Sequence, residues 1–180
     1  MKHDLPSRLS YSESCRFLQD LGHLEEGLIP PVPERRPEYD DEEPLGICFF
    51  RTSVGEGDME HLSLPRTYFG RSDVGPISFK NTDLSESTLC WNDFNEVDFT
   101  DADLSRSDLR GSLFNKVAFV RADLRDADLR RSTFEDCDFT EADMRGARLT
   151  REQGKHLPIS DKQSQEIDWQ DSDGDEPPGD

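Results

Sequence analysis

The sequence is short of apolar residues, with 32% hydrophobic against 34% charged over 180 positions. A broad globular core draws on nearer half of a chain, so that solution is excluded and the few apolar residues must be used economically. Basic side chains are scarce too: 21 Lys and Arg stand against 40 Asp and Glu, a formal charge of −19. Such a charge repels nucleic-acid phosphates and anionic lipid, so direct nucleic-acid binding and membrane association are not expected and protein partners are. Cys15, Cys48, Cys90 and Cys137 are far apart without a CxxC pair, and His3, His23, His61 and His156 do not cluster. No disulfide framework, metal site or cofactor is expected from them. Nowhere do eighteen apolar residues follow one another, and the first thirty contain no signal-peptide core. The expectation is a soluble cytoplasmic protein.

What the chain does have is a period. From Phe69 a large apolar residue recurs at every fifth position, through Val74, Phe79, Leu84, Leu89, Phe94, Phe99, Leu104, Leu109, Phe114, Phe119, Leu124, Leu129, Phe134, Phe139 and Met144 to Leu149. A smaller residue sits two places before each of these centres, as at Ala102, Val117, Ala122 and Cys137, and the position between is commonly Asp. Five matches neither the 3.6 of a helix nor the 2 of a strand, so either element would scatter the centres around its surface. A coil that returns them to the inside is required.

A second period gives the coil its shape. Taken four at a time, the centres fall into registers that are mainly Leu (Leu89, Leu109, Leu129, Leu149), Phe (Phe94, Phe114, Phe134), Phe again (Phe79, Phe99, Phe119, Phe139) and Leu or Met (Leu84, Leu104, Leu124, Met144). Like stacks on like only if twenty residues make one turn, so the coil has four sides. Extending the frame back through Leu64, Met59, Val54 and Phe49 adds a degenerate first turn weakened by Gly55, Gly57 and Pro65. The full ladder is then about 25 Å tall at about 4.8 Å per turn.

These units resemble the pentapeptide-repeat family, whose pattern is a small residue, Asp or Asn, Leu or Phe, and two variable positions. The resemblance implies an all-β, right-handed quadrilateral β-helix with tight corners. Some members of the family mimic DNA and bind type II topoisomerases, which makes a gyrase modulator one implied function.

The flanks divide the chain into an N-terminal helix and acidic, Pro-rich linker over 1–44, the repeat coil over 45–151, a C-terminal cap over 152–169, and a disordered acidic tail over 170–180. An open β-helix exposes unpaired backbone groups at both ends, and helical caps answer that need. Phe17, Leu18, Leu21 and Leu24 have helical spacing within 12–27, ending at Gly27, and Ser160 with Gln163 forms a capping-box signal followed by Ile167 and Trp169. Asp171, Asp173 and Asp175 lack the glycine position and closing Glu of a calcium loop.

Catalysis is not expected. Asp83, Asp103, Asp123 and Asp143 take one outward slot per turn and form a solvated ladder bonded to turn backbone, with no histidine or cysteine nucleophile beside it. Arg110, Arg130 and Arg131 fall at one corner with Arg106, Arg125, Arg145 and Arg151, where surface pairing with the Asp ladder is the simplest role. Trp91, at an outward corner, is a candidate contact. These Asp and Arg residues with Trp91 form the candidate partner surface. The expected function is non-enzymatic: a rigid coil presented to a protein partner, in immunity or self-protection, with gyrase modulation and passive scaffolding as alternatives. The partner is a toxin, a topoisomerase or another protein, and the chain is a monomer or a homodimer through a terminal cap.

Overall fold

The computed structural model describes residues 6–171. From Cys48 the chain winds as a parallel β-solenoid in which each residue pairs with the one twenty places on. Four ladders result. The first runs Cys48, Tyr68, Thr88, Asp108, Asp128, Arg148, Asp168, and the second runs Ser53, Asp73, Asp93, Leu113, Thr133. The third runs Asp58, Ser78, Asp98, Ala118, Asp138, and the fourth Ser63, Asp83, Asp103, Asp123, Asp143. About six turns stack in this way.

Many corners are turns closed by a bond from the amide three residues after the centre to the centre's own carbonyl, as in Ala102 to Phe99 at 3.0 Å and Ala122 to Phe119 at 3.1 Å. Except after Val74, where Pro76 stands, the second residue after the centre is left-handed, with φ from 46° at Glu56 to 61° at Arg131 among the non-glycine residues. That conformation disfavours any residue with a Cβ by about 1–2 kcal/mol, less for Asn and Asp. Asn81, Asp101, Asp126 and Asp136 suit it, and glycine takes it at Gly111 and Gly146. The Asp before each centre stabilises the same corner: Asp83, Asp98, Asp103, Asp123 and Asp138 all accept the backbone N–H two residues on, at 2.9–3.1 Å.

Inside, two phenylalanine columns adjoin. Phe79, Phe99, Phe119 and Phe139 stack with centroids 4.9–5.6 Å apart, and Phe94, Phe114 and Phe134 stack at 5.0–5.2 Å. The columns meet edge to face at 5.4–5.9 Å, the arrangement favoured by the ring quadrupole. Leu84, Leu89, Leu104, Leu109, Leu124, Leu129 and Met144 fill the other two sides and are buried, whereas Phe134 is only partly covered.

One column of small inward positions is polar. Ser72, Asn92, Ser112 and Ser132 pass hydrogen bonds from turn to turn: the amide of Ser72 donates to Asn92 Oδ1 at 2.9 Å, and Ser112 Oγ donates to the Leu89 carbonyl at 2.9 Å. Among the described residues, no buried side-chain nitrogen or oxygen lacks a partner.

Helix α1 spans Tyr11–Asp20 and lies over the first turn, burying Cys15 and Leu18. Ser10 caps it in a capping box with Glu13. It stops short of Gly27 because Gly22, at φ 78°, closes a Schellman end with His23 N–H on the Leu18 carbonyl at 2.8 Å; Leu21 is therefore exposed. Ser14 Oγ accepts the Ser63 amide at 2.8 Å, standing in for a missing turn of the fourth ladder.

At the far end lie helix α2, Arg151–Gly154, and helix α3, Asp161–Glu166. Thr150 with Gln153 and Ser160 with Gln163 are both capping boxes, and each glutamine also faces the coil. Gln153 Nε2 donates to the Leu129 and Ser132 carbonyls at 2.9 and 2.8 Å, and Gln163 Nε2 to those of Phe139 and Ala142 at 2.7 and 3.1 Å. The strand Asp168–Gln170 then extends the first ladder, so Gln170, read above as the start of a tail, is part of the sheet. The rest of the expected tail, from Ser172 on, lies outside the described residues.

Candidate functional site

The coil's charge is divided between its sides. On the fourth and first ladders Arg110, Arg125, Arg130 and Arg145 each lie against the Asp two residues before them. Arg110 Nη2 to Asp108 and Arg130 Nη2 to Asp128 are both 2.7 Å, and Arg125 Nε to Asp123 and Arg145 Nε to Asp143 are both 2.8 Å. Glu86 takes Arg66 at 3.2 Å and Arg106 at 3.0 Å. Burial raises the Asp108 carboxyl, but the Arg110 guanidinium more than offsets this and leaves it below the usual range; bonding from Arg145 likewise lowers Asp143. Asp83 and Asp103 bond only their own turns, at Ser85 and Ser105. Arg131 occupies a left-handed corner of the first side. Of the candidate acids, Asp123 and Asp143 are thus neutralised by adjacent arginines, whereas Asp83 and Asp103, neighbours in the fourth ladder, are half-buried and have no ion pair to a described residue.

The second side is different. Asp73 and Asp93 are direct neighbours in the ladder, both exposed, with no ion pair to a described residue. Like charges placed opposite one another destabilise a sheet. Leu113 continues the same line of outward positions at 40% exposure, and Trp91 stands at the adjoining corner at 37%. The Trp91 ring lies on Gly111, where an added Cβ would come within 2.6 Å of it. Asn95 and Asn115 bond side chain to side chain at 2.6 Å along this side, and Glu135 and Asp136 lie exposed below. On the neighbouring third side the acids do find cations, Asp98 with Lys80 at 3.3 Å and Asp101 with Arg121 at 2.8 Å.

Cys90, read as an outward corner residue, is buried, and burial pushes its thiol well up. The cover comes from residues 30–41, which cross the first side. Cys137 is a core residue whose thiol burial also raises. Among the described residues no group of His, Cys, Asp or Glu is placed to hold a metal ion, and no helix is long and apolar enough to cross a membrane. Sequence reasoning missed Asp73, Asp93 and Leu113 as a group although a signal was present: Asp73 and Asp93 are followed two places on by Gly75 and Asn95, where Asp108, Asp123, Asp128 and Asp143 are followed by arginine.

Comparison with known proteins accords with this geometry. The structure is similar to the pentapeptide-repeat protein Rfr23 from the cyanobacterium Cyanothece 51142, at a TM-score of 0.51 and 18% identity over 53% of this chain and 79% of that one. Further similarities are to alr5209, a pentapeptide-repeat protein from Nostoc (TM-score 0.32, 16% identity, 92% of this chain and 100% of that one), and to QnrB1, a plasmid-mediated fluoroquinolone resistance protein (TM-score 0.33, 20% identity, 57% and 53%). No curated protein sequence matches. Eight copies of the pentapeptide repeat match residues 77–111 and 118–151, so this part of the solenoid is built from pentapeptide repeats.

Proposed function

We propose that the protein acts by binding rather than catalysis, using its rigid coil as a docking face for a protein partner with a basic surface, in an immunity or self-protection role. The observation that carries this reading is the stacked, unneutralised pair Asp73 and Asp93 beside exposed Leu113 and Trp91. The chain has arginines to spare for its fourth and first sides and leaves this pair uncompensated, a cost in stability that a cationic partner would remove. Trp91 and Leu113 supply the apolar centre that such contacts need, and a basic toxin is a partner of the required charge.

A photo-crosslinker at Leu113 should capture a basic protein that one at Asp123 does not, and Asp73→Lys with Asp93→Lys should abolish the capture while leaving the melting temperature unchanged or raised. Equal capture from both positions would sink the assignment of the face. The gyrase reading is separable in a supercoiling assay. Because Asp123 and Asp143 are already held by arginine, no protection of gyrase is expected; protection that vanishes in Asp83→Asn, Asp103→Asn, Asp123→Asn would make topoisomerase modulation the function instead.

A further inference from the structure

The segment between α1 and the coil does not hang free. Pro30, Pro33 and Pro37 are buried against the coil and α1, whereas Pro31, Val32, Glu34, Arg35 and Arg36 are exposed. Burial of Pro30 and Pro33 with Pro31 and Val32 outward is the three-residue repeat of a polyproline II helix. Its contacts run almost wholly through its own carbonyls. Tyr11 Oη donates to the Pro30 carbonyl at 2.8 Å, Arg66 Nη1 to Pro33 at 2.8 Å, and Tyr68 Oη to Tyr39 at 2.9 Å; Thr88 Oγ1 donates to Pro37. One bond runs the other way, from Arg36 Nη1 to the Arg106 carbonyl at 2.9 Å.

A surface that buries prolines and satisfies carbonyls, and leaves the intervening side chains in water, reads backbone shape and proline spacing rather than side-chain identity. Aromatic-lined grooves that take proline-rich ligands work on that basis. We propose that Tyr11, Arg66, Tyr68 and Thr88 form a binding groove for extended proline-rich segments of P-x-x-P-x-x-x-P spacing, filled in cis by residues 30–39 and open in trans to a segment of that kind from another protein. This goes beyond the docking face on the second side, which uses none of these four residues.

The probe is a fluorescent synthetic peptide of residues 28–41 with Arg35→Gln and Arg36→Gln, titrated by anisotropy into the full chain. A tethered segment competes at high effective concentration, so the unaltered chain should bind weakly. A full chain carrying Pro33→Gly and Pro37→Gly should bind at least about 10-fold more tightly, and adding Tyr68→Phe and Thr88→Val should remove that gain. A second readout needs no variant: saturating peptide should speed tryptic cutting of the unaltered chain after Arg35, and a peptide with its prolines changed to Ala should not. Binding equal in the unaltered and Pro→Gly chains, or cutting that peptide leaves unchanged, would overturn the proposal.

Discussion

At the residue scale the most exacting positions are those where one side chain answers to two elements. Gln163 accepts the Ser160 amide through Oε1 at 2.9 Å and donates through Nε2 to two coil carbonyls. Gln163→Glu puts a carboxylate against those carbonyls, and the loss of two bonds at a buried site should cost about 2–3 kcal/mol in urea unfolding. Gln165→Glu, exposed on the same helix, should change stability by less than about 0.5 kcal/mol. Equal effects would mean that Gln163 does not hold the end of the coil. Gly111 is the second such residue: at φ 66° and beneath the Trp91 ring, Gly111→Ala should displace the indole, shift its fluorescence and destabilise by about 1–2 kcal/mol. In a Trp91→Ala background the steric part of that loss should disappear.

At the element scale, strands of two or three residues such as Asp73–Val74 or Thr133–Glu135 have no independent stability, and each turn is held by its neighbours. The phenylalanine columns are the strongest of those contacts. Phe119 is wholly buried between Phe99 and Phe139, so Phe119→Asp combines a lost burial of about 1.5–3 kcal/mol with an unpaired buried carboxylate and should unfold the coil. Glu135→Lys, on an exposed outward position, should be tolerated; equal melting temperatures for the two would contradict the packing. The columns were legible in the sequence because the five- and twenty-residue periods fix which centres stack. The helix ends were less so: the sequence reading places the stop at Gly27, and the Schellman bonds at Gly22 end the helix earlier.

At the scale of the whole molecule the coil depends on its ends and on pH. Removing Ile159 onward takes away α3, the Gln163 bonds and the added strand Asp168–Gln170. The bared last turn should lower the melting point and promote association, measured by light scattering; a stable, monomeric truncation would show that the cap is dispensable. Acid should act through the arginine-bonded carboxylates. Asp108 and Asp143 sit below their ordinary values in the folded state, so the unfolded chain binds protons first, and their stabilisation is present above about pH 4 and lost as pH falls through the lowered folded values. Asp108→Asn should flatten that part of the pH–stability curve, which a series of urea melts between pH 5 and pH 2 would show.

By itself the sequence determined the repeating unit, the four registers and the buried centres, because a strict period leaves only one way to bring the apolar residues together. Tertiary structure decided the rest, since each remaining feature depends on segments whose meeting no local spacing encodes. Residues 30–41 read as an acidic, Pro-rich linker from composition, yet their carbonyls find Tyr11, Arg66, Tyr68 and Thr88 and bury Cys90 beneath them. The sequence places Gln153 in the cap, but its bonds to the Leu129 and Ser132 carbonyls exist only because the end of the coil presents those groups to it. Asp73 and Asp123 are equivalent in the five-residue frame, but Asp123 has Arg125 beside it where Asp73 has Gly75. That difference is local and legible in the sequence; the tertiary structure decided that each such arginine folds back on the Asp before it and that no other described cation reaches Asp73 or Asp93 across the coil.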